Sequence, residues 1–475
     1  MKNMRKTKII ATLGPSCSTP KIIEKMMLSG VDVFRINFSH ANHSEIEKII
    51  STIRSLNKKN NYYTSILADL QGPKLRIGNV DEHVNIIKDD ILEFCSEKKF
   101  TGNNKRVYVK YKKFAKDVKI GEKLLIDDGK LIFEILETDN ECNVKARVIQ
   151  GGPLFSKKGI NLPNTKISLP ALTEKDFEDA IFSINQKVDW IALSFVRNGN
   201  DLNELKKIIQ EKSKHKIPVI SKIEKPEALE NIDEIIANSD GIMVARGDLG
   251  VEVSAAKVPL IQKQLVNKSK KARIPVIIAT QMMEGMIKSL TPTRAEVNDV
   301  ANSVMDGADA VMLSGETSVG KYPIKVVSEM SSILKTVENS PLIKVPQSPP
   351  SVRSKRYITK SICYHAANMA NEIDATAICT LTNSGYTAFQ ISAWRPRANI
   401  LVFTSNELIL SQLNLLWGVK AFYYDKFEST DKTVEQVNNI ALKNNFINKG
   451  DMLINLAAMP VKKKGMVNTL RISMI

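Results

Sequence analysis

Short runs of β-branched and aliphatic residues, each followed by a longer amphipathic stretch, recur through the first and middle parts of the chain. An apolar run too short for a helix and ending in polar or glycine residues reads as a strand, and the stretch after it as a helix. Candidate strands fall at residues 8–13, 33–36, 65–68, 190–194, 219–222, 241–245, 276–279 and 310–313. Runs that are apolar throughout, such as Pro275-Val276-Ile277-Ile278-Ala279, suit strands covered on both faces, as parallel strands joined by helices are. Eight such units predict the α/β class and a closed (β/α)8 TIM barrel, built from residues 1–72 and 168–345.

Residues 73–167 follow another rhythm. Val107-Tyr108-Val109 and Val144-Lys145-Ala146-Arg147-Val148 alternate as half-buried strands do. Leu124-Leu125-Ile126 and Leu131-Ile132-Phe133 flank Asp127-Asp128-Gly129-Lys130, a glycine-containing turn suited to a hairpin. The segment is expected to form a small β-barrel domain, inserted in a barrel loop and able to move over the barrel mouth as a lid. The proline-rich residues 346–350 mark a linker. Beyond it, candidate strands at 375–381, 400–404, 421–424 and 452–456 alternate with amphipathic stretches. Residues 346–475 therefore predict a C-terminal α/β domain with a mainly parallel sheet.

Composition mostly removes alternatives. At 475 residues, 43% apolar and 25% charged, the chain has ample core material and exceeds what one core usually supports. The basic N-terminus lacks a cleavage site behind its apolar stretch, and no apolar run reaches the ~18 residues of a membrane span. A soluble, cytoplasmic protein is expected. Cys17, Cys95, Cys142, Cys363 and Cys379 are scattered, with no paired spacing, which suits a reducing compartment. The formal charge of +17 raises the question of nucleic acid, but the lysines form no stripe and are accompanied by many Asn and Ile residues. A compositional drift accounts for that excess, so neither a nucleic-acid nor a membrane partner is expected.

In a parallel barrel the C-terminal strand ends carry the active site. Here the second strand ends in Arg35-Ile36-Asn37-Phe38-Ser39-His40 and the third in Asp69-Leu70-Gln71-Gly72-Pro73-Lys74-Leu75-Arg76. The fifth ends in Ser221-Lys222-Ile223-Glu224, the sixth in Ala245-Arg246-Gly247-Asp248, the seventh in Thr280-Gln281-Met282-Met283-Glu284 and the eighth in Ser314-Gly315-Glu316. Cations, carboxylates and hydroxyls at one rim are an inventory for binding an anion through a divalent cation. Lys222 and Glu224 are one strand period apart, which puts both side chains on one face. Glu224 and Asp248 offer the one or two carboxylates that Mg2+ characteristically takes; the bland alternative for Lys222 is a structural ion pair. Gly247 precedes residues 248–253, which can open a short helix whose backbone amides suit a carboxylate; the bland alternative is a simple glycine turn.

The strings RINFSH (35–40), SKIEK (221–225), IMVARGDLG (242–250), ATQMMEGM (279–286), PTRAEVNDVAN (292–302) and MLSGET (312–317) resemble those of pyruvate kinases in order and spacing. With KKGINLP (157–163), the resemblance covers essentially the whole chain. It implies phosphoryl transfer from phosphoenolpyruvate to ADP, catalysed by Lys222, Arg35 and Thr280, with Mg2+ (or Mn2+) on Glu224 and Asp248. Substrate would meet Arg35, Lys222, Gly247, Asp248 and Thr280, with Ser314 and Glu316 on a proton path. The nucleotide would meet Asn37, Phe38, Ser39, His40, Arg76 and Lys158 or its neighbour Lys157. A homotetramer is also implied. The runner-up is a Mg2+-dependent barrel lyase acting on 2-oxo acids.

Two departures matter. K+-dependent members resemble this chain at Asn37, Ser39 and Asp69 but carry Thr and Glu where it has Leu70 and Lys74. An ammonium on Lys74 can supply the charge K+ brings, so K+ is expected to be dispensable or only weakly needed. Residues 382–387, where related enzymes bind a phosphorylated effector, hold Asn383 and Tyr386 in place of basic residues. The effector is therefore left open, as is whether there is one at all.

Overall fold

The computed structural model describes residues 4–39, 42–163, 165–338, 340, 343, 349–352, 354–426, 428–460 and 465–475. His40, residues 346–348 of the proline-rich stretch and Lys462-Lys463-Lys464 lie outside the described residues.

Eight parallel strands close a barrel: Lys8–Thr12, Val33–Asn37, Ser65–Asp69, Trp190–Leu193, Val219–Ile223, Gly241–Ala245, Val276–Ala279 and Ala310–Leu313. The eighth closes on the first in the register Lys8↔Ala310. Alternation along each strand divides the core. Ile10, Val33, Leu67, Ala192, Ile220, Met243 and Ile277 fill the interior, whereas Ile9, Phe34, Ile66, Ile191, Val219, Ile242 and Ile278 pack outward with the helices. That two-faced burial is why the strands read as continuous apolar runs.

Between the third and fourth barrel strands lies a six-stranded sheet, in the order Ile160–Asn161, Lys123–Ile126, Leu131–Thr138, Asn143–Gln150, Ile91–Cys95 and Arg106–Tyr108. Its two edges meet across one segment: Arg76 bridges to Gly159 and Ile77 to Val109, which wraps the sheet into a small barrel. Phe94, Phe114 and Phe133 pack in a core of its own. The hairpin turn holds Asp127, Asp128 and Gly129 at φ of 55°, 56° and 86°, left-handed conformations that Asp and Gly tolerate best.

The C-terminal unit has a five-stranded sheet in the order Val419–Tyr423, Asn399–Thr404, Ala377–Leu381, Met452–Ala457 and Thr469–Met474. Four strands run parallel; the fifth, not anticipated from sequence, pairs antiparallel to its neighbour. This unit meets the barrel near the starts of its strands, where the Trp190 indole donates to the carbonyl of Gln412 at 3.1 Å. Leu415 joins the barrel's interior cluster.

Candidate active site

Strand parity builds the site. The interior positions Ile10, Val33, Leu67, Ala192 and Ile220 share their face with Thr12, Arg35, Asn37, Asp69, Ser194, Lys222 and Glu224, two or four residues further on. Polar groups thus replace apolar ones where these strands reach the C-terminal rim. There the Arg35 guanidinium donates to Asp69 at 2.6 Å and to the Thr12 hydroxyl at 3.1 Å. Lys222 Nζ lies 3.2 Å from Asp69 and 3.0 Å from Glu224, and donates to Ser194 Oγ at 2.7 Å. The second carboxylate oxygen of Glu224 accepts the Phe195 N–H at 2.7 Å.

Lys222, Asp69 and Glu224 are nearly shut off from solvent, so their charges act in a medium that screens poorly. Burial alone would lower the ammonium's affinity for its proton. Asp69 and Glu224 outweigh it and hold Lys222 above its ordinary range, so the side chain is a permanent cation. Burial acts on Asp69 in the opposite sense, yet Lys222 and Arg35 keep its carboxyl below the usual value. For Glu224 burial prevails over Lys222, and the Asp248 charge adds to it, so its carboxyl sits above the usual value.

On the next two strand ends, the Gly247 N–H donates to Thr280 Oγ1 at 2.6 Å, and Asp248 lies 3.3 Å from Lys74 Nζ. Thr280 and Gln281 have φ of 71° and 53°; a β-branched residue at positive φ is a strained one, of the kind concentrated at functional sites. Arg246 braces this turn, donating to the Thr280 carbonyl at 2.8 Å while forked onto Asp299 at 2.6 and 2.7 Å. Glu316 accepts the N–H groups of Met283 and Ser314 at 3.1 and 2.7 Å, and burial raises its carboxyl above the usual range.

The residues expected from sequence thus fall into groups. Arg35, Asp69, Lys222 and Glu224 form one network, with Asp248 close enough for its charge to be felt by Lys222 and Glu224. Asn37 accepts the Ser39 N–H at 3.1 Å in the loop leading out of the second strand, and Phe38 between them is fully buried. Arg76 and Lys158 lie in the inserted unit, bound there to the Lys157 carbonyl at 3.0 Å and to Asp127 at 2.8 Å. Residues to which the sequence reading gives no role are Thr12, Ser194, Arg246 and Asp299. Thr12 and Ser194 sit at strand ends on the inward parity, a signal that was available. The Arg246–Asp299 pair spans two elements and had none.

Glu224 and Asp248 bring hard oxygen donors to adjacent strand ends close enough to repel, a donor set that fits a divalent cation taking the rest of its ligands from substrate and water. Among the described residues no cluster of three or more His, Cys, Asp or Glu side chains forms a metal site made by protein alone. The arrangement as a whole defines a class, a (β/α)8-barrel enzyme whose rim neutralises an anionic substrate.

Comparison with known proteins narrows the class. Residues 4–327 match the family described as pyruvate kinase, barrel domain, and residues 360–473 that described as pyruvate kinase, alpha/beta domain. The pyruvate kinase of Corynebacterium glutamicum is 40% identical over 99% of this chain and 98% of its own length. That of Geobacillus stearothermophilus is 38% identical over 99% and 80%. The crystal structure of a pyruvate kinase from Cryptosporidium parvum superposes with a TM-score of 0.92 at 33% identity, covering 99% of this chain and 96% of that one. The chain belongs to the pyruvate kinase family. Its activity is the transfer of the phosphoryl group of phosphoenolpyruvate to ADP, giving pyruvate and ATP in glycolysis; the lyase reading is not favoured.

Proposed function

We propose that this transfer takes place around Lys222, and the observation that supports it most is the Lys222 ammonium held between Asp69 and Glu224 beside Arg35. Phosphoryl transfer needs positioning and charge neutralisation more than covalent help. Lys222 and Arg35 supply two fixed cations to the oxygens of the phosphoryl group. The substrate carboxylate would replace Thr280 Oγ1 as the acceptor of the Gly247 N–H, at the first turn of the short helix Arg246–Glu252. Mg2+ or Mn2+ on Glu224 and Asp248 would add divalent positive charge beside the phosphate. Once the phosphoryl group has left, an enolate must gain a proton; Thr280 Oγ1, which donates to the Ala279 carbonyl at 2.5 Å, would supply it, with Ser314 and Glu316 on the path that restores it. Asn37, Phe38, Ser39 and His40 take the nucleotide from the barrel side, and Arg76 and Lys158 from the lid. We take residues 73–167 as that lid, between barrel segments 1–72 and 168–345, with 346–475 as the C-terminal domain. Closure would bring both cations over the nucleotide phosphates and exclude water.

Family membership also supports a homotetramer, and free thiols at all five cysteines suit the cytoplasm. A phosphorylated effector would dock at residues 382–387, where Gly385 at φ 78° opens the helix Tyr386–Ala393 and Arg356 lies over the Tyr386 ring.

The reading is tested with phosphoenolpyruvate, Mg2+ and ADP in a coupled assay. Pyruvate release should require ADP, to which a 2-oxo-acid lyase is indifferent. Lys222→Met should keep the fold and lose roughly three orders of magnitude in turnover, as loss of a transition-state contact does. Near-normal turnover in a folded variant would remove Lys222 from the mechanism.

A further inference from the structure

The first turn of the helix Glu174–Asn185 sits where the chain returns from the inserted unit to the barrel, and it reaches two site loops at once. Its second residue, Lys175, crosses to the loop after the second strand and donates from Nζ to the Phe38 carbonyl at 2.9 Å. Asp179, 2% exposed and one turn along the same helix, accepts from Lys175 and from His43 at 2.7 Å. His43 stacks on Phe182 at 4.1 Å, and Phe182 in turn meets Phe38 edge-on at 6.2 Å. The fully buried Asp176 caps its own helix through Thr173 and also accepts the Gly72 N–H at 3.0 Å, where the chain departs into the inserted unit.

From this geometry we infer that Lys175, held by Asp179, is a positioning residue for the nucleotide side of the site. It fixes the backbone between Asn37 and Ser39 through the Phe38 carbonyl. The inference rests on the reading that residues 37–40 receive the nucleotide. Lys175 touches no group of the Lys222 network. Its removal therefore frees the Phe38 carbonyl, while the Phe38 N–H stays on the Asp69 carbonyl at 3.0 Å and keeps the phosphoenolpyruvate side in place. A charge-assisted bond to one carbonyl is local and directional, and an arginine can replace it. Displacing a binding loop by a fraction of an ångström weakens the ligand it carries far more than it weakens the fold.

The test uses the full-length enzyme with Mg2+, varying ADP and phosphoenolpyruvate separately in Lys175→Met, Lys175→Arg and, as a control on the nucleotide reading, Arg76→Met. We expect Lys175→Met to raise KM for ADP about tenfold and leave KM for phosphoenolpyruvate within about twofold, with Lys175→Arg restoring most of the loss. Equilibrium binding of ADP should weaken in parallel. If Arg76→Met raises KM for ADP while Lys175→Met does not, the positioning role is wrong and the nucleotide reading stands. If Lys175→Met raises both KM values alike and lowers the melting temperature, the residue is structural and the inference falls. If neither variant changes KM for ADP, the nucleotide reading fails and takes the inference with it.

Discussion

At the scale of single residues, Lys74 separates this chain from the K+-dependent pattern. Its ammonium stands 3.3 Å from Asp248, with both side chains about a quarter exposed, so a fixed positive charge already occupies the mouth of the site. A monovalent cation at about 4 Å from a bare ammonium would meet a repulsion between about 1 kcal/mol, with water-like screening, and about 4 kcal/mol at the effective dielectric of a protein surface, and the Asp248 carboxylate beside Lys74 lowers that figure. Turnover in K+-free buffer should therefore stay close to that in KCl. Lys74→Glu, which reverses the charge, should create a dependence on K+. Collapse of the unaltered enzyme without K+, restored by KCl, would show that the ammonium does not take that place.

Among the elements, the passage from the barrel into the inserted unit is set at Gly72 by backbone geometry more than by side-chain chemistry. Gly72 has φ +69°, and a Cβ there would lie 2.8 Å from both Phe195 and Ser194. These are the residues whose Phe195 N–H and Ser194 hydroxyl hold Glu224 and Lys222. A side chain at Gly72 thus strains this passage and pushes on the site together. Gly72→Ala should cost about 2–4 kcal/mol of stability, from the left-handed conformation and the overpacking combined. Thermal or denaturant unfolding would measure that loss, and turnover of the remaining folded enzyme should fall as well. A variant as stable as the parent would mean that the loop gives way without resistance.

Over the whole molecule, the contact between barrel and C-terminal unit carries buried charge. Arg395 pairs with Asp309 at 2.8 Å and donates to the Gly307 carbonyl at 2.8 Å, joining the two units. Beside them Lys270 is 6% exposed. Burial and then the nearby Arg395 lower its pKa to about 7, and its Nζ donates to the Asp306 carbonyl at 3.2 Å. Below pH 7 both the folded and the unfolded chain hold this proton, and folding bears the full cost of burying the charge. Between pH 7 and about 10.5 the folded state releases a proton that the unfolded state keeps, so Lys270 makes stability rise with pH, by at most about 1.4 kcal/mol per unit. Comparing unfolding free energies of the parent and Lys270→Met at pH 7 and pH 9 isolates this contribution. The variant should gain on the parent at pH 7 and lose most of that advantage at pH 9; an equal difference at both values would exclude titration of Lys270 in this range.

The sequence by itself determined the barrel, because each of its strands is buried on both faces and announces itself as an apolar run: residues 219–222 were expected and Val219–Ile223 are found. The last strand, Thr469–Met474, has mostly exposed or half-buried positions in its middle, so no such run marks it. That Lys222 and Glu224 leave their strand on one face was equally legible, since parity is a local property of an extended chain. Tertiary structure alone decided which groups meet. Asp69 reaches Arg35 and Lys222, Arg246 reaches Asp299, and Lys175 reaches Phe38 only after strands far apart in sequence have closed into a ring. Periodicity is written residue by residue along the chain, whereas such pairings depend on closure, register and the path of the inserted unit, which no stretch of local sequence contains.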